Sequence, residues 1–255
     1  MRNMLNWVIA GAVAASVTLV PSPSAQAEWG SFKGKITVSG KIEALKPLVA
    51  KGNAAARDAA VCAAEDVPDE SIVVDPSTNA LANVVVYLAK KPAKVHPDLM
   101  KSKEAEVVFD QKGCRFLPHI LVARADQRVR VLSDDSVAHN THTNPIRNPQ
   151  ANFVVTANDR KGVLVPAFTT EERLPAKVVC DIHNWMTAYW VILDHPYCAV
   201  TDTKGEFEIA DLPEGDHKFI VWQEKSGYVD KAYAVSIKAG QTKEVSIEVP
   251  VTAFK

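Results

Sequence analysis

Short apolar runs separated by turn residues occupy most of the chain from residue 34 to its end. They lie at 34–40, 82–88, 107–109, 119–124, 128–132, 177–180, 188–193, 207–209, 218–222, 232–237 and 244–249. Runs of this length that are rich in β-branched residues, or that alternate apolar and polar positions, predict β-strands. The run 82–88 is too apolar for a half-exposed strand, which indicates a central position in a sheet. The pattern predicts an all-β chain of sandwich type.

One segment departs from the strand pattern. Residues 54–64 contain seven alanines and predict one short Ala-rich helix that carries Cys62, because alanine has the highest helix propensity. Residues 90–103 hold five lysines and two prolines, which predicts a solvated basic connector between strands.

The first 27 residues have the features of a secretory signal peptide. Arg2 is their only charged residue, an apolar run spans 7–20, and Ala25-Gln26-Ala27 ends the segment. A short apolar run followed by an A-x-A site predicts cleavage after residue 27 rather than a membrane span. We therefore expect a periplasmic or otherwise secreted protein with no stable membrane insertion after cleavage.

Charge adds one exclusion. The chain has 29 lysines and arginines against 30 aspartates and glutamates, a formal net charge of -1. No basic field dominates the sequence, and proteins that bind nucleic acid usually carry one. We therefore expect no nucleic-acid partner.

The most specific chemical signal is the segment C-D-I-H-N-W-M, which contains Cys180, His183 and Met186. Together with His139 upstream, it offers a thiolate, two imidazoles and a thioether, which is the ligand set of a mononuclear type 1 copper site. We expect one copper ion here. His142 is the alternative upstream ligand, but in an extended strand residues 139 and 142 face opposite sides, so one ion takes one of them.

The four cysteines allow three disulfide connectivities. Assigning Cys180 to the metal leaves Cys62 and Cys114 as the predicted disulfide and Cys198 as a buried free thiol. A disulfide between Cys180 and Cys198 is the competing pairing, and it would exclude the metal site.

The segment from about Val107 to Asp194 resembles the cupredoxins, the blue copper proteins. V-V-C-D-I-H-N-W-M resembles the short ligand loop of amicyanin, and S-D-D-S-V-A-H-N-T-H resembles the plastocyanin segment in which the first ligand histidine precedes asparagine. The resemblance implies a Greek-key β-sandwich and favours His139 over His142. It also implies that Asn140 ties the two ligand loops together and that electrons pass through an exposed edge of His183. Trp185 is a departure from related loops, and it either covers His183 or shapes the partner-docking surface.

A second resemblance covers the C-terminus. The segment F-E-I-A-D-L-P-E-G-D-H-K-F-I-V-W is similar to the carboxypeptidase-regulatory-like, transthyretin-like sandwiches. The strands near 34–40 and 84–88 resemble the first elements of that family. The resemblance implies that 28–103 and 195–255 form one smaller sandwich, with a copper domain at 104–194 inserted between them. Two consecutive domains are the alternative.

These observations predict a protein that carries single electrons between periplasmic redox proteins by transient docking. The alternative is a non-catalytic exported binding or scaffold module, or a copper carrier. We do not expect an enzyme, because copper enzymes of this fold need further histidines for a second copper centre, and His96, His119, His195 and His217 show no H-x-H pairing. The sequence leaves His119 without an assigned role.

Overall fold

The computed structural model describes residues 28–254, so the predicted signal peptide at 1–27 lies outside the described residues. The strands of this range are β1 (Trp29–Ser39), β2 (Val85–Leu88), β3 (Glu106–Gln111), β4 (Phe116–Leu117), β5 (Ile120–Arg124), β6 (Arg128–Val131), β7 (His139–Asn144), β8 (Asn152–Val155), β9 (Val163–Leu164), β10 (Ala176–Val179), β11 (Thr187–Leu193), β12 (Cys198–Val200), β13 (Glu206–Pro213), β14 (Gly215–Gln223), β15 (Gly227–Ile237) and β16 (Thr242–Pro250). The helices are α1 (Ala59–Cys62) and two 3₁₀ turns, Pro97–Leu99 and Val251–Ala253. None of these helices is long and apolar enough to span a bilayer.

The strands form four sheets. Their orders are β13-β1-β16, β12-β2-β14-β15, β5-β11-β10-β7-β8 and β4-β3-β6-β9. The first two sheets enclose one apolar core and the last two enclose another. A third apolar cluster lies between the β12-β2-β14-β15 sheet and the β5-β11-β10-β7-β8 sheet, so the sheets stack as four layers. The predicted all-β class with two sandwiches is confirmed.

Strand pairing divides the chain by position. In the first two sheets, β1 and β2 pair with β12 to β16, whereas β3 to β11 pair among themselves. The sandwich that contains the predicted metal ligands is therefore built from strands β3 to β11, which in sequence lie between the strands of the other sandwich. The two sandwiches contact each other through β11 and β2. Each of these strands uses the face that points away from the core of its own sandwich.

The central layers explain why some strands are apolar at every position. In β11, Ala188, Trp190 and Ile192 face one core, whereas Val191 and Leu193 face the cluster between the sandwiches. Successive side chains of a strand point to opposite faces, so a strand that is buried on both faces needs apolar residues throughout. The β2 strand follows the same rule and is buried at all its positions.

The helix predicted at 54–64 is much shorter in the structure. Only Ala59–Cys62 is α-helical, and the residues before it form turns. Asp58 immediately precedes the helix in the left-handed region, with φ of 52°, which prevents the helix from extending toward residue 54. An isolated segment of this length is also below the roughly 12–15 residues that a stable helix needs in water. The prediction was therefore wrong in extent.

Residues 48–67 form a segment that we call the cap. Its two ends meet through two backbone hydrogen bonds: the Leu48 N–H donates to the Val67 carbonyl at 2.8 Å, and the Val67 N–H donates to the Val49 carbonyl at 2.9 Å. Val49, Ala63 and Val67 form a small apolar cluster against Trp185 of the ligand loop. A disulfide between Cys62 and Cys114 joins the cap to the loop before β4. The cap therefore covers the end of the sandwich that carries the ligand loop.

Candidate metal centre

Three predicted ligands converge in the interior of the β3–β11 sandwich. The Nδ1 atoms of His139 and His183 lie 3.0 Å apart, and the Sγ atom of Cys180 lies 3.9 Å from Nδ1 of His183. One ligand atom of each of the three residues lies within 4.8 Å of the others. All three side chains are buried. His139 precedes Cys180 by 41 positions and His183 by 44 positions in the sequence. Folding therefore brings the first imidazole to the thiol and the second imidazole.

The strands fix these residues at one end of the sandwich. His139 begins β7, which pairs with β8 on one side and with β10 on the other. Cys180 follows the last residue of β10, and the chain returns into β11 at Thr187. The loop between them is closed by hydrogen bonds from the Met186 N–H to the His183 carbonyl, at 2.9 Å, and from the Cys180 N–H to the Met186 carbonyl, at 3.2 Å. A short loop with this closure leaves its ligands little freedom.

Met186 lies in the same apolar cluster as Cys180 and is buried. It ends the closed loop, three residues after His183. The core of the sandwich therefore buries the fourth predicted ligand at the end of the loop that carries Cys180 and His183.

Asn140 links the two ligand segments, as the cupredoxin resemblance implies. Its Oδ1 accepts hydrogen bonds from the N–H groups of Asp181 and Ile182, at 2.6 and 3.2 Å. Its Nδ2 donates to Asn152 and to the Asp181 carboxylate, both at 2.9 Å. The backbone N–H of Asn140 also points to the sulfur of Cys180 at 3.4 Å. This one side chain holds the residues beside Cys180 against β7.

His142 lies outside the cluster. Its Nδ1 is 3.1 Å from the Asp181 carboxylate, and its Nε2 is 2.9 Å from Nε2 of Gln150. The side chain is partly exposed, on the opposite side of β7 from His139. The structure therefore brings His139, and not His142, to Cys180 and His183.

The surroundings of Cys180 favour its thiolate. Burial raises the pKa of the Cys180 thiol, but hydrogen bonds with His139 and His183 and from two backbone N–H groups outweigh burial and lower the pKa to about 6. Burial lowers the pKa of His139, yet its hydrogen bonds with Asp135 and Cys180 raise that pKa to about 9. The thiolate is the form of cysteine that binds metals.

Two carboxylates that the sequence analysis did not identify, those of Asp135 and Asp58, contact the Nε2 atoms of the two histidines. Nε2 of His139 lies 2.8 Å from Asp135, and Nε2 of His183 lies 2.9 Å from Asp58. Asp135 also accepts hydrogen bonds from the backbone N–H groups of Gly113 and Cys114, at 2.6 and 2.8 Å. Such carboxylates fix the orientation of metal-binding imidazoles. The spacing D-x3-H could have indicated Asp135, whereas no local signal indicates Asp58.

The exposed ring edge expected for His183 was wrong, whereas the docking role of Trp185 stays a prediction. His183 is 0% exposed, because Asp58 and the cap cover the ring edge that was expected to face solvent. Trp185 is half-buried against the apolar cluster of the cap, and its Nε1 donates to the Cys114 carbonyl at 3.1 Å. The rings of His183 and Trp185 lie 5.2 Å apart. Trp185 therefore joins the cap to the ligand loop and lies against the ring of His183.

The cysteines follow the pairing expected from the metal assignment. Cys62 and Cys114 form a disulfide with a Cα–Cα distance of 5.2 Å. Cys180 and Cys198 are both free, so the competing pairing between them is absent. Burial raises the pKa of the Cys198 thiol well above its usual range, which makes this thiol unreactive.

His119 belongs to a separate buried pair. Its Nε2 lies 3.3 Å from the Glu224 carboxylate of the other sandwich. The pair lines a cavity of about 280 Å³ that also reaches Met186, Trp185 and Tyr189. The structure thus gives His119 a contact between the two sandwiches.

The spacing of the three converging groups fits a bound metal ion. A first-row ion such as zinc binds nitrogen at about 2.0 Å and thiolate sulfur at about 2.3 Å. In a tetrahedral or trigonal arrangement, these bonds place two nitrogens about 3.3 to 3.5 Å apart and nitrogen and sulfur about 3.5 to 3.7 Å apart. The separations of 3.0 Å between the Nδ1 atoms of His139 and His183 and 3.9 Å between Nδ1 of His183 and Sγ of Cys180 differ from these distances by about 0.3 Å or less, which small side-chain rotations can close. Both Nδ1 atoms are turned toward the cluster, because the Nε2 atoms bond to carboxylates.

Several solved structures are similar to part of this chain. No family model and no curated protein matches the chain. Amicyanin from Paracoccus versutus is 13% identical, with coverage of 44% of this chain and 98% of its own, and a TM-score of 0.27. A purple cupredoxin from Nitrosopumilus maritimus is 18% identical, covering 35% of this chain and 99% of its own at a TM-score of 0.27.

A copper-containing nitrite reductase from Thermus scotoductus is also similar, at 19% identity and a TM-score of 0.29. The match covers 40% of this chain and 25% of the reductase. Sheet order and core packing by themselves show that the described residues form an all-β protein with two sandwiches.

Proposed function

We propose that the protein binds one copper ion through His139, Cys180, His183 and Met186 and carries single electrons between redox partner proteins. The observation that carries this proposal is the convergence of one buried thiol and two buried Nδ1 atoms, with a buried thioether at the end of the same loop. This donor set is typical of type 1 copper sites, whereas structural zinc sites use cysteine and histidine without methionine.

Copper supplies a one-electron couple at such a site. The protein contributes a fixed set of donors that suits both oxidation states. The closed loop 180–186 and the side chain of Asn140 hold Cys180, while Asp135 and Asp58 hold the two imidazoles. Because the cap and the core exclude water from His183 and Met186, little solvent needs to reorganise when the charge of the site changes.

The Cys62–Cys114 disulfide supports an exported location, because disulfides persist in oxidising compartments. The predicted N-terminal signal peptide would likewise direct the protein to the periplasm or the cell exterior. In that compartment, the partners would be other redox proteins that dock weakly and transiently through small interfaces. Since His183 is buried, docking at an exposed histidine edge is not part of the proposal.

Copper delivery is the second candidate, and the structure disfavours it. A protein that hands over its ion needs an open site, whereas the histidines here are buried and a disulfide-linked cap covers one of them. A closed, rigid site suits an electron carrier better. The expectation that the protein is not an enzyme stays a prediction.

The test is a titration of the purified protein with Cu²⁺ while the visible spectrum is recorded. We expect one equivalent of copper to produce an intense thiolate-to-copper band that is absent in Cys180→Ser. Cys198→Ser is the matched control and should keep the band, since Cys198 lies on β12 of the other sandwich. A colourless copper complex of the wild-type protein would contradict the proposal.

A further inference from the structure

We propose that Asp58 of the cap is a positioning residue that lowers the reduction potential of the site through His183. This inference rests on the proposed function, because it concerns the same copper site. It goes beyond that function by assigning a role to a segment outside the β3–β11 sandwich, 125 positions before the ligand it contacts.

The contact between Asp58 and His183 sets the direction of the effect. Nδ1 of His183 faces Cys180 and His139, so the proton of the metal-bound neutral ring resides on Nε2. That N–H donates to Oδ2 of Asp58 at 2.9 Å. A carboxylate that accepts a hydrogen bond from this N–H makes the imidazole a stronger electron donor. Stronger donation favours the more highly charged, oxidised ion and thereby lowers the reduction potential.

The cap holds Asp58 in this position. The residue has φ of 52°, a conformation that alanine adopts only at a cost, and α1 begins directly after it. Cys62 is the last residue of α1 and forms a disulfide with Cys114. The N–H of Cys114 in turn binds Asp135, which supports His139. One disulfide therefore joins the cap, which carries Asp58, to the loop whose backbone N–H groups hold Asp135.

Asp58 is the better carboxylate to test. Asp135 accepts two backbone N–H groups in addition to His139, so an amide there would place its own N–H against other donors and disturb the loop. Asp58 has its side chain 39% exposed, and asparagine is one of the residues that tolerate the left-handed conformation. Asp58→Asn thus removes the charge and keeps both the backbone and a hydrogen-bond acceptor for His183.

The experiment compares the reduction potential and the Cu⁺ and Cu²⁺ affinities of wild type, Asp58→Asn and Glu65→Gln. Glu65 lies on the same cap with its side chain 80% exposed and contacts Lys51, so it controls for loss of one surface charge. We expect Asp58→Asn to lose about tenfold in its preference for the oxidised ion, the lower end of the effect of such supporting groups. For a one-electron couple this raises the potential by about 59 mV. Glu65→Gln should match the wild type.

The outcomes separate this inference from the proposed function. If the wild type binds copper with a thiolate band but Asp58→Asn keeps its potential, the role of Asp58 is wrong and the electron-carrier function stands. If both variants shift the potential equally, the effect is one of general charge and the inference is likewise wrong. If the wild type forms no thiolate-to-copper band, the proposed function fails. Should Asp58→Asn not fold, Asp58→Gly, which suits the same backbone conformation, replaces it and should raise the potential.

Discussion

The carboxylate of Asp58 lies 2.9 Å from Nε2 of His183, on the ring edge opposite the nitrogen that faces Cys180. The contact explains why His183 is buried although it lies on a loop at the end of a sandwich. The cap, which belongs to neither pair of sheets, covers this end of the sandwich and takes the place of solvent at the His183 ring. In the proposed function, electrons would therefore pass through or around the cap, and the Asp58 side chain, which reaches solvent, would offer one hydrogen-bonded step from the ring to the surface.

The two upstream histidines should differ sharply in their effect on copper binding. His139→Ala removes a buried donor and leaves Cys180 and His183 without their partner, so we expect at least a tenfold loss in copper affinity and loss of the thiolate band. His142→Ala changes a partly exposed ring that contacts Asp181 and should leave the band in place. Competition with a copper chelator measures both. A loss of the band in His142→Ala alone would reverse the ligand assignment.

Replacing Asn140 by alanine should destabilise the protein. Four side-chain hydrogen bonds disappear, and the N–H groups of Asp181 and Ile182 lose their acceptor, which costs about 1 to 3 kcal/mol in the free energy of unfolding. Asn144→Ala is the control, because Asn144 is exposed and its bonds are longer, at 3.3 and 3.5 Å. Urea unfolding of the metal-free proteins measures the difference. Equal stability of Asn140→Ala and wild type would show that Asn140 does not join the ligand segments.

Removing the Cys62–Cys114 disulfide should weaken both the fold and the cap. The bridge closes a loop with a sequence separation of 52, which corresponds to about 4 kcal/mol in the chain-entropy model. We therefore expect Cys62→Ala/Cys114→Ala to unfold at lower denaturant concentration and to release copper faster than the wild type. The control Cys198→Ala removes a free thiol and should do neither. An unchanged rate of copper release in a double variant of reduced stability would show that the cap does not retain the ion.

His195 predicts a pH dependence of stability. Burial lowers the pKa of His195, whose Nε2 donates to the Leu88 carbonyl while Nδ1 accepts the Tyr197 N–H, a pattern that only the neutral ring provides. As pH falls through the unfolded value of about 6.5, the unfolded chain takes up this proton first, so stability decreases toward the lower folded pKa. His195→Gln should show a smaller decrease than wild type below about pH 6.5 in denaturant titrations. Parallel pH profiles of the two proteins would contradict the prediction.

Part of the structure follows from local sequence patterns. The continuous apolar run 82–88 predicts a strand and indicates that it is central, because a strand between two apolar layers must be apolar on both faces. Three of the four predicted ligands lie within one loop of seven residues, so their proximity needs little tertiary information. The division into a copper domain at 104–194 inserted between 28–103 and 195–255 stays a prediction.

The rest depends on contacts between distant segments. Asp58 reaches His183 across 125 positions, and nothing in its neighbouring alanines indicates a metal-site contact. Helix propensity overestimated α1, because it takes no account of the left-handed Asp58 at the start of the helix. The exposed edge expected for His183 came from a resemblance to proteins that consist of one sandwich, and such a resemblance contains no information about an added cap.

The most direct test of the account is a crystal structure of the copper-loaded protein with anomalous diffraction data collected at the copper absorption edge. We predict a single copper peak bonded to Nδ1 of His139, Nδ1 of His183 and Sγ of Cys180, with the Met186 thioether beside it. A copper peak at any other place, or bonded to His142 instead of His139, would contradict the proposed site.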